Sequence, residues 1–479
     1  MGYGKSSGSA FLYFNRVMAA SPLCSYRGLP LAWFIVVGGI AALPLLILMP
    51  DYSYRYGLQW VGFYFACGGC SLLVFVQSEL RRDYLLFLRN RFPSEVVALL
   101  LLMISGSVFA NGFLLQATGV LTMLLVLGTW PLLSFLWFIQ REHRDHLYLL
   151  ARIVLGVVLA ESLFLSCYQL LGLGMSSQDS LSVWPRIFLN VRDNNQWLAC
   201  GFWIPISLWF SAHFPGRFPS LLPRIGIPSV IGMMALFWYL DLLTYGRGAF
   251  LAMLFSAGCA SFWCYRSLGR KLSLGFLRDQ LIAFGLALLS VFALRTSLPF
   301  FNMASRLAVD FGRSESGRWQ ILLHWINSWL NTSVVWGQGW GVIPEGVSWA
   351  PWSKDPHNLY VQILADGGLW GLGLFLLALI VLVRSIKSPS FVLPSLAFAA
   401  GLFVYQGVDR IWAISSGLFL ILSAGSYFSD LFESQVDDCR LSMLIPEASD
   451  YFLSGLTFML SLLCPCASLL LFFAAAGRP

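Results

Sequence analysis

Thirteen apolar stretches, each close to the length of a membrane span, constrain this sequence more than any other feature. A helix needs about 20 mostly apolar residues to cross about 30 Å of hydrocarbon. A hydrophobic fraction of 58% and a charged fraction of 11% fit a chain of this kind. The sequence therefore predicts an all-α polytopic membrane protein with about 12–13 transmembrane helices, forming one membrane domain over residues 1–479. The stretches lie at 29–49, 58–77, 96–116, 119–139, 148–172, 197–213, 226–244, 249–265, 280–299, 358–383, 391–407, 411–428 and 452–475.

The net charge of +7 is distributed by membrane side. With the N-terminus placed inside, eighteen Lys and Arg residues fall on the inner side and eleven on the outer side. Because cytoplasmic loops carry the excess of Lys and Arg, this bias predicts a cytoplasmic N-terminus. The positive charge therefore points to a lipid bilayer as partner and not to nucleic acid.

The longest connection, residues 300–357, is predicted to be a large loop on the outer side. Within it, residues 316–330 have the pattern of an amphipathic helix, and the Trp-rich stripe of that helix suits the headgroup region. The stripe consists of Leu322, Trp325, Ile326 and Trp329. The Trp- and Gly-rich stretch 336–344 follows and is typical of a tight turn segment.

Two polar segments precede outer helix starts and contain an arginine. Residues 190–197 place Arg192 among side chains suited to a phosphate or to sugar hydroxyls; an ordinary capped helix start is the alternative. In residues 245–250, Gly246 and Gly248 are predicted to free the backbone around Arg247, so that the turn can be tight and approach a ligand closely. The planar guanidinium of Arg247 suits phosphate oxygens. A plain helical hairpin with an interfacial Arg is the alternative there.

Two further segments belong to the large outer loop or follow it. Residues 313–318 lead into the amphipathic helix, so Arg318 and the backbone N–H groups of the helix start can form an anion site; a Glu315 salt bridge is the alternative. His357 lies at the outer end of a span, where its near-neutral pKa suits a general base. A purely structural histidine is the alternative.

Some polar or small residues inside the spans have weaker functional signals. Gly368 and Gly371 lie one helical turn apart and predict close packing of another helix. Glu161 is an intramembrane carboxylate and so a functional candidate, while Asp366 is a packing or orienting residue near the glycines. Most of the ten cysteines lie in apolar spans and are predicted to be small packing residues.

Several signals are missing from the sequence. It contains no GxxxxGK[ST] motif for ATP and no DxD pair in an outer loop, so neither a nucleotide cofactor nor a metal ion is required. No Ser-His-Asp pattern for nucleophilic catalysis is visible.

His357-Asn358, nine residues and then Gly368-Leu-Trp-Gly371 resemble the H[NSQ]-x9-G-x-x-[GTY] signature of the O-antigen ligase and polymerase superfamily. The Arg-Gly-Ala segment 247–249, the Arg-Trp pair 318–319 and the glycine run before the histidine are similar too. Together these similarities cover about residues 190–380.

The resemblance implies a helical membrane glycosyltransferase of the C type in the bacterial inner membrane, with its active site facing the periplasm. Such enzymes move a glycan from undecaprenyl diphosphate to an acceptor hydroxyl without metal or nucleotide sugar. The resemblance makes His357 the base that deprotonates the acceptor. It makes Arg247, Arg318 and, more weakly, Arg192 ligands of the diphosphate, with Asn358, Gly368 and Gly371 in support.

The acceptor stays open at this point. Ligases of this superfamily use the lipid A core, related oligosaccharyltransferases use Ser or Thr of a protein such as pilin, and polymerases use another lipid-linked repeat unit. The segment 190–197 departs from the Asn-Pro-Asn-Gln form of ligases and is more similar to the pilin-type enzymes. A transporter of lipid-linked glycans is the alternative from another class, but its cations would line an inner cavity.

Overall fold

The protein is built from helices throughout the part of the chain that the structure describes. This structure is a computed structural model that describes residues 27–42, 52–140, 145–170, 191–214, 225–244, 246–296, 318–342, 356, 358–385, 392–406, 419, 421–424 and 447–476. Within these ranges it contains the fifteen α-helices numbered below, one short 3-10 turn and no strand.

The helices vary from 11 to 30 residues in length. In chain order they are α1 (Leu29–Ala42), α2 (Tyr52–Val76), α3 (Ser78–Asn90), α4 (Ser94–Asn111), α5 (Ala117–Ile139), α6 (Asp145–Leu170), α7 (Val191–Gly201), α8 (Trp203–His213), α9 (Ile227–Thr244), α10 (Arg247–Leu268), α11 (Arg270–Thr296), α12 (Arg318–Thr332), α13 (Leu359–Ser385), α14 (Val392–Gln406) and α15 (Glu447–Ala476). The 3-10 turn, Leu114–Gln116, joins α4 to α5.

Nine of the described helices are long and apolar enough to cross a membrane, which confirms the prediction of an all-α polytopic membrane protein. They are α2, α4, α5, α6, α9, α10, α11, α13 and α15. The predicted spans at 29–49 and 391–407 correspond to shorter apolar helices. The predicted span 197–213 falls on two short helices, α7 and α8, which separate at Phe202. Most of the predicted span 411–428 lies outside the described residues.

Hydroxyl groups and small residues join α15 to the first helices of the bundle. Ser461 on α15 donates from Oγ to the Gly128 carbonyl on α5 at 2.7 Å and shares a 2.6 Å hydrogen bond with the Tyr84 hydroxyl on α3. A Cβ added to Gly128 would lie 2.6 Å from the Cys464 Sγ. Apolar burial alone does not drive helices together in lipid. Helix contacts there depend on small residues, which let the backbones approach closely, and on hydrogen bonds between hydroxyl groups and the neighbouring helix.

The cysteines at this interface are buried and free, as a packing role requires. Cys67, Cys70 and Cys464 are fully or almost fully buried, and none of the described cysteines forms a disulfide.

A second close contact joins α10 to α14. Ser256 on α10 donates from Oγ to the Ala397 carbonyl on α14 at 2.8 Å. Gly401, one turn further along α14, lies against Ser256 and Ala252 on α10 and against the Ala199 carbonyl on α7. Because residue 256 meets 397 while residue 252 meets 401, the two helices run antiparallel. The end of α14 is therefore level with the start of α10.

Gly401→Val is expected to lower stability, because a side chain there must displace Ser256 and two backbone carbonyls. Overpacking of this kind costs about 1–3 kcal/mol. The measurement is thermal unfolding of the purified protein in detergent. Gly373→Val is the matched control, since a Cβ at Gly373 meets nothing within 4 Å. Equal unfolding temperatures for the two variants would contradict the packing described here.

Candidate active site

The starts of α7 and α10 lie side by side, and each carries one of the predicted arginines. Arg192 is the second residue of α7 and Arg247 is the first residue of α10. Asn195, one turn into α7, lies against Gly246, the residue that precedes α10. The structure therefore brings the two helix starts to one end of the bundle, called the site end below.

Gly246 is needed for space and not for backbone freedom, which differs from the sequence prediction. Its φ of −74° and ψ of 65° are not a left-handed conformation. A Cβ at this position would instead collide with the Asn195 side chain and lie 2.7 Å from the Asp241 Oδ1. The absent side chain lets α7 approach the turn between α9 and α10.

Asp241 is a site-end residue that sequence reasoning missed. It lies in the last turn and a half of α9 with a side chain that is 2% exposed. Among the described residues its Oδ1 has no hydrogen-bond partner, and neither has the side-chain amide of the fully buried Gln196 on α7. The available signal was a single carboxylate within the apolar stretch 226–244, which marks a functional candidate in a membrane helix.

The start of α13 also lies at the site end. The Tyr360 hydroxyl on α13 donates to the Phe403 carbonyl on α14 at 3.1 Å, and the two rings are 5.5 Å apart. Phe403 lies near the end of α14, which is level with the start of α10. The α14 helix thus connects the helix that begins with Arg247 to the helix that follows His357.

Asn358 caps α13. Its Oδ1 accepts a 3.0 Å hydrogen bond from the Val361 backbone N–H, so it satisfies one of the free donors of the helix start. His357 lies outside the described residues; in the chain it directly precedes this cap.

The α13 helix is broken at Gly368, which has φ 67° and ψ −164°. The break frees two carbonyls before it and two N–H groups after it, and the loop after α12 bonds to all four. The pairs are Gln338 N to Ala365 O at 2.8 Å, Gly339 N to Asp366 O at 3.1 Å, Leu369 N to Val334 O at 3.0 Å and Trp370 N to Val335 O at 3.1 Å. We call the loop Ser333–Val342 the glycine loop; Gly337, Gly339 and Gly341 in it all have positive φ, as the predicted turn segment requires.

The predicted helix packing at Gly368 is wrong, because its close neighbour is the glycine loop. A Cβ on Gly368 would overlap the Val335 carbonyl. Gly367 lies beneath the Trp340 ring, with an added Cβ 2.9 Å from that ring, so it also faces the loop. Gly371 is less constrained: the nearest atom to an added Cβ is the Ile363 carbonyl at 3.6 Å, and Met103 on α4 follows at 3.7 Å.

The predicted amphipathic helix is confirmed as α12, but its buried face packs on protein. Ile321 and Trp325 are 2% and 1% exposed and form an apolar cluster with Ala365 of α13. The expectation that Trp325 faces the headgroup region is therefore wrong.

The direction of α12 follows from its contacts. Its C-terminal end leads into the glycine loop at the break in α13, while its earlier residues pack beside residues 361–365. The two helices therefore run in the same direction, so the start of α12, at residue 318, lies toward the end where α13 begins.

The two other candidates, Asp366 and Glu161, lie in different places relative to the site end. Asp366 belongs to the contacts around the break, where its Oδ2 accepts a 2.6 Å hydrogen bond from the Gln362 Nε2. Glu161 is buried in α6, which is not one of the helices that carry the arginines or the histidine. Within the described ranges, no cluster of three His, Cys, Asp or Glu side chains is arranged to hold a metal ion.

Gly368→Ala is expected to destabilise the protein, since alanine resists positive φ and its Cβ would meet the Val335 carbonyl. The φ and ψ of Gly368 lie in a region that is essentially restricted to glycine, so the strain alone corresponds to about 1–3 kcal/mol. Thermal unfolding in detergent measures the effect. Gly371→Ala on the same helix is the control, and it should be neutral or slightly stabilising. A Gly368→Ala protein as stable as the wild type would show that the break is not required.

Comparison with known proteins identifies a family match over part of the chain. No curated protein matches the chain. Residues 232–376 match the family model described as O-antigen ligase. The matched segment begins in α9, ends in α13, and contains Arg247, Arg318 and His357 together with the glycine loop. Residues 232–376 are therefore similar to the O-antigen ligase family, and this match supports assignment of the segment to the O-antigen ligase superfamily.

Proposed function

We propose that the protein transfers an O-antigen-type glycan from undecaprenyl diphosphate to an acceptor hydroxyl at the periplasmic face of the bacterial inner membrane. The observation that carries the proposal is the convergence of helix starts. The helices that begin at or near Arg192, Arg247 and Arg318 all start toward the end where α13 begins, directly after His357 and Asn358. The family match supports glycosyl transfer in a membrane.

The donor end of the proposed reaction requires positive charge. The leaving group is a lipid diphosphate, and negative charge develops on its bridging oxygen as the glycosidic bond breaks. Helix starts present free N–H groups and the positive end of the helix dipole, and each guanidinium adds a planar fork for phosphate oxygens. We assign Arg247, Arg318 and Arg192 to this role, which cationic side chains can fill without a metal ion.

The acceptor end requires a base. In the proposed step the His357 imidazole takes the proton of the acceptor hydroxyl while the acceptor oxygen bonds to the anomeric carbon of the donor sugar. The bond from that carbon to the diphosphate breaks, and its electron pair leaves with undecaprenyl diphosphate. Asn358 supports the geometry, because its cap to Val361 fixes the helix start next to the histidine.

Two acceptors fit the proposal, the lipid A core and a Ser or Thr of pilin. The Arg192 segment favours the pilin-type enzymes by resemblance, whereas the family match carries the description O-antigen ligase. Polymerisation of lipid-linked repeat units is the alternative within the superfamily, and transport of such lipids is the alternative outside it.

His357→Ala and Arg247→Ala are each expected to abolish most transfer in a deletion strain complemented with the variant gene. Loss of a general base costs about 10²- to 10⁴-fold in rate. Lipopolysaccharide ladders and intact pilin mass are recorded together. Loss of capped lipopolysaccharide, loss of the pilin mass increment, or accumulation of single-repeat products identifies the acceptor.

Arg266→Ala is the matched control for Arg247→Ala. Arg266 is exposed in the last turn of the same helix, α10, at the end opposite Arg247. It should restore the wild-type glycoforms. If His357→Ala restores every glycoform at normal protein level, the proposed site is wrong.

A further inference from the structure

The glycine loop is tied to a part of the chain that lies outside the matched family segment. Gln116, in the 3-10 turn between α4 and α5, is 2% exposed, and its Oε1 accepts the Trp340 backbone N–H at 2.8 Å. Its Nε2 donates to the Gly112 carbonyl at 2.7 Å and to the Ser107 carbonyl at 3.1 Å. A single buried amide thus joins the loop to the hairpin of α4 and α5.

Two neighbours of Gln116 strengthen the same connection. Ser107 on α4 donates from Oγ to the Asp366 carbonyl at 2.9 Å, just before the break in α13. Asn111 donates from Nδ2 to the Gly337 carbonyl at 3.2 Å. The α4–α5 hairpin therefore contacts both partners of the break, the glycine loop and the first half of α13.

The residues joined by this connection lie on both sides of residues 343–357, the segment that carries His357. On one side, the chain leaves the glycine loop at Val342, whose carbonyl accepts a 3.1 Å hydrogen bond from the Gln338 Nε2. On the other side, the chain enters α13 at Asn358, and the first half of α13 ends at the break. Val342, which precedes the segment, is therefore held by the glycine loop, and the first half of α13, which follows it, packs on that loop at the break.

We propose that Gln116 is a positioning residue for the transfer reaction. It fixes the glycine loop and, through the loop, the first half of α13, so that His357 is held toward the acceptor hydroxyl. The inference rests on the glycosyl transfer proposed above. It assigns a role in the reaction to a residue from the first third of the chain, which the family segment 232–376 does not include.

The contacts distinguish this role from donor binding. Gln116 bonds to the loop that meets α13, whereas Arg192 and Arg247 begin α7 and α10, which pack on each other and on α14. A displaced loop therefore shifts the base and also affects α12, which begins at Arg318 and leads into the loop, but leaves the starts of α7 and α10 in place. Because a shift of about 1 Å at a reacting group can cost about 100-fold in rate, while two of the three proposed diphosphate ligands keep their positions, kcat should fall by a larger factor than the donor KM rises.

The test uses the purified full-length protein in lipid nanodiscs with undecaprenyl-diphosphate-linked glycan and the acceptor identified above. Gln116→Ala should lower kcat by about 10- to 100-fold, with a smaller factor of change in the donor KM. Gln116→Glu keeps an oxygen for the Trp340 N–H but places a second oxygen where Nε2 donates to the Gly112 and Ser107 carbonyls, so it should not recover the lost kcat. Gln116→Leu, which has similar volume and no acceptor, should not recover it.

Tyr84→Phe is the structural control. It removes a buried 2.6 Å hydrogen bond to Ser461 at the α3–α15 contact and should leave kcat unchanged. An unchanged kcat in Gln116→Ala, a donor KM that rises by as large a factor as kcat falls, or an equal loss in Tyr84→Phe would overturn the positioning role.

Hydrogen exchange separates this inference from the proposed function. Gln116→Ala should speed exchange at residues 334–342 and 359–370 and leave α10 unchanged, whether or not the protein transfers glycan. If exchange in those segments is unchanged, the connection described here is wrong. If wild type and His357→Ala show the same absence of transfer while exchange responds as expected, the proposed function fails and the catalytic role of Gln116 fails with it.

Discussion

The break in α13 leaves four backbone N–H and C=O groups without partners in the helix. The need to pair these four groups is the constraint on which the rest of the site end depends. A helix in lipid satisfies its own N–H and C=O groups, and a break leaves groups that nothing in hydrocarbon can pair. The glycine loop solves this by presenting two N–H groups and two carbonyls to the two sides of Gly368. That solution requires glycine at 368, a loop able to adopt three positive φ values, and a support that holds the loop in place. The α4–α5 hairpin supplies the support through Gln116, Ser107 and Asn111.

The same break divides α13 into two halves with different structural roles. Its second half is an ordinary apolar span, while its first half is a short helix that carries Asn358 at its start and packs on α12 through Ala365. A short helix that is fixed at its far end by the glycine loop holds Asn358, at its start, in a defined position. The arginine-bearing starts of α7 and α10 reach this end by a separate route, through α14 and its contacts with Ala252, Ala199 and Tyr360. In the proposed reaction, the route through α14 holds the helix starts at Arg192 and Arg247, while α12, which begins at Arg318, packs with the first half of α13.

Sequence patterns predicted the parts of this arrangement that depend on local composition. Apolar length identified the nine long spans, periodicity identified α12, and the glycines of 336–341 identified a turn. Partners were not predictable in the same way, because periodicity states which face is apolar and not what covers it. Trp325 was therefore assigned to the headgroup region although Ala365 covers it, and Gly368 was assigned to helix packing although it lies against Val335. Asp241 was missed because one carboxylate in a long apolar stretch changes the average very little.

The matched family segment, residues 232–376, does not include all the residues that share its backbone hydrogen bonds. Residues 232–376 contain His357, two of the arginines and the whole break, so they contain the residues proposed to act on substrate. However, the Trp340 N–H, the Gly337 carbonyl and the Asp366 carbonyl, all inside that segment, are paired with side chains from residues 107–116. A buried backbone group that loses its partner is costly, so the segment depends on the α4–α5 hairpin for its own hydrogen bonding. The early helices are thus more than a lipid-facing scaffold, since they pair backbone groups of the glycine loop and of α13.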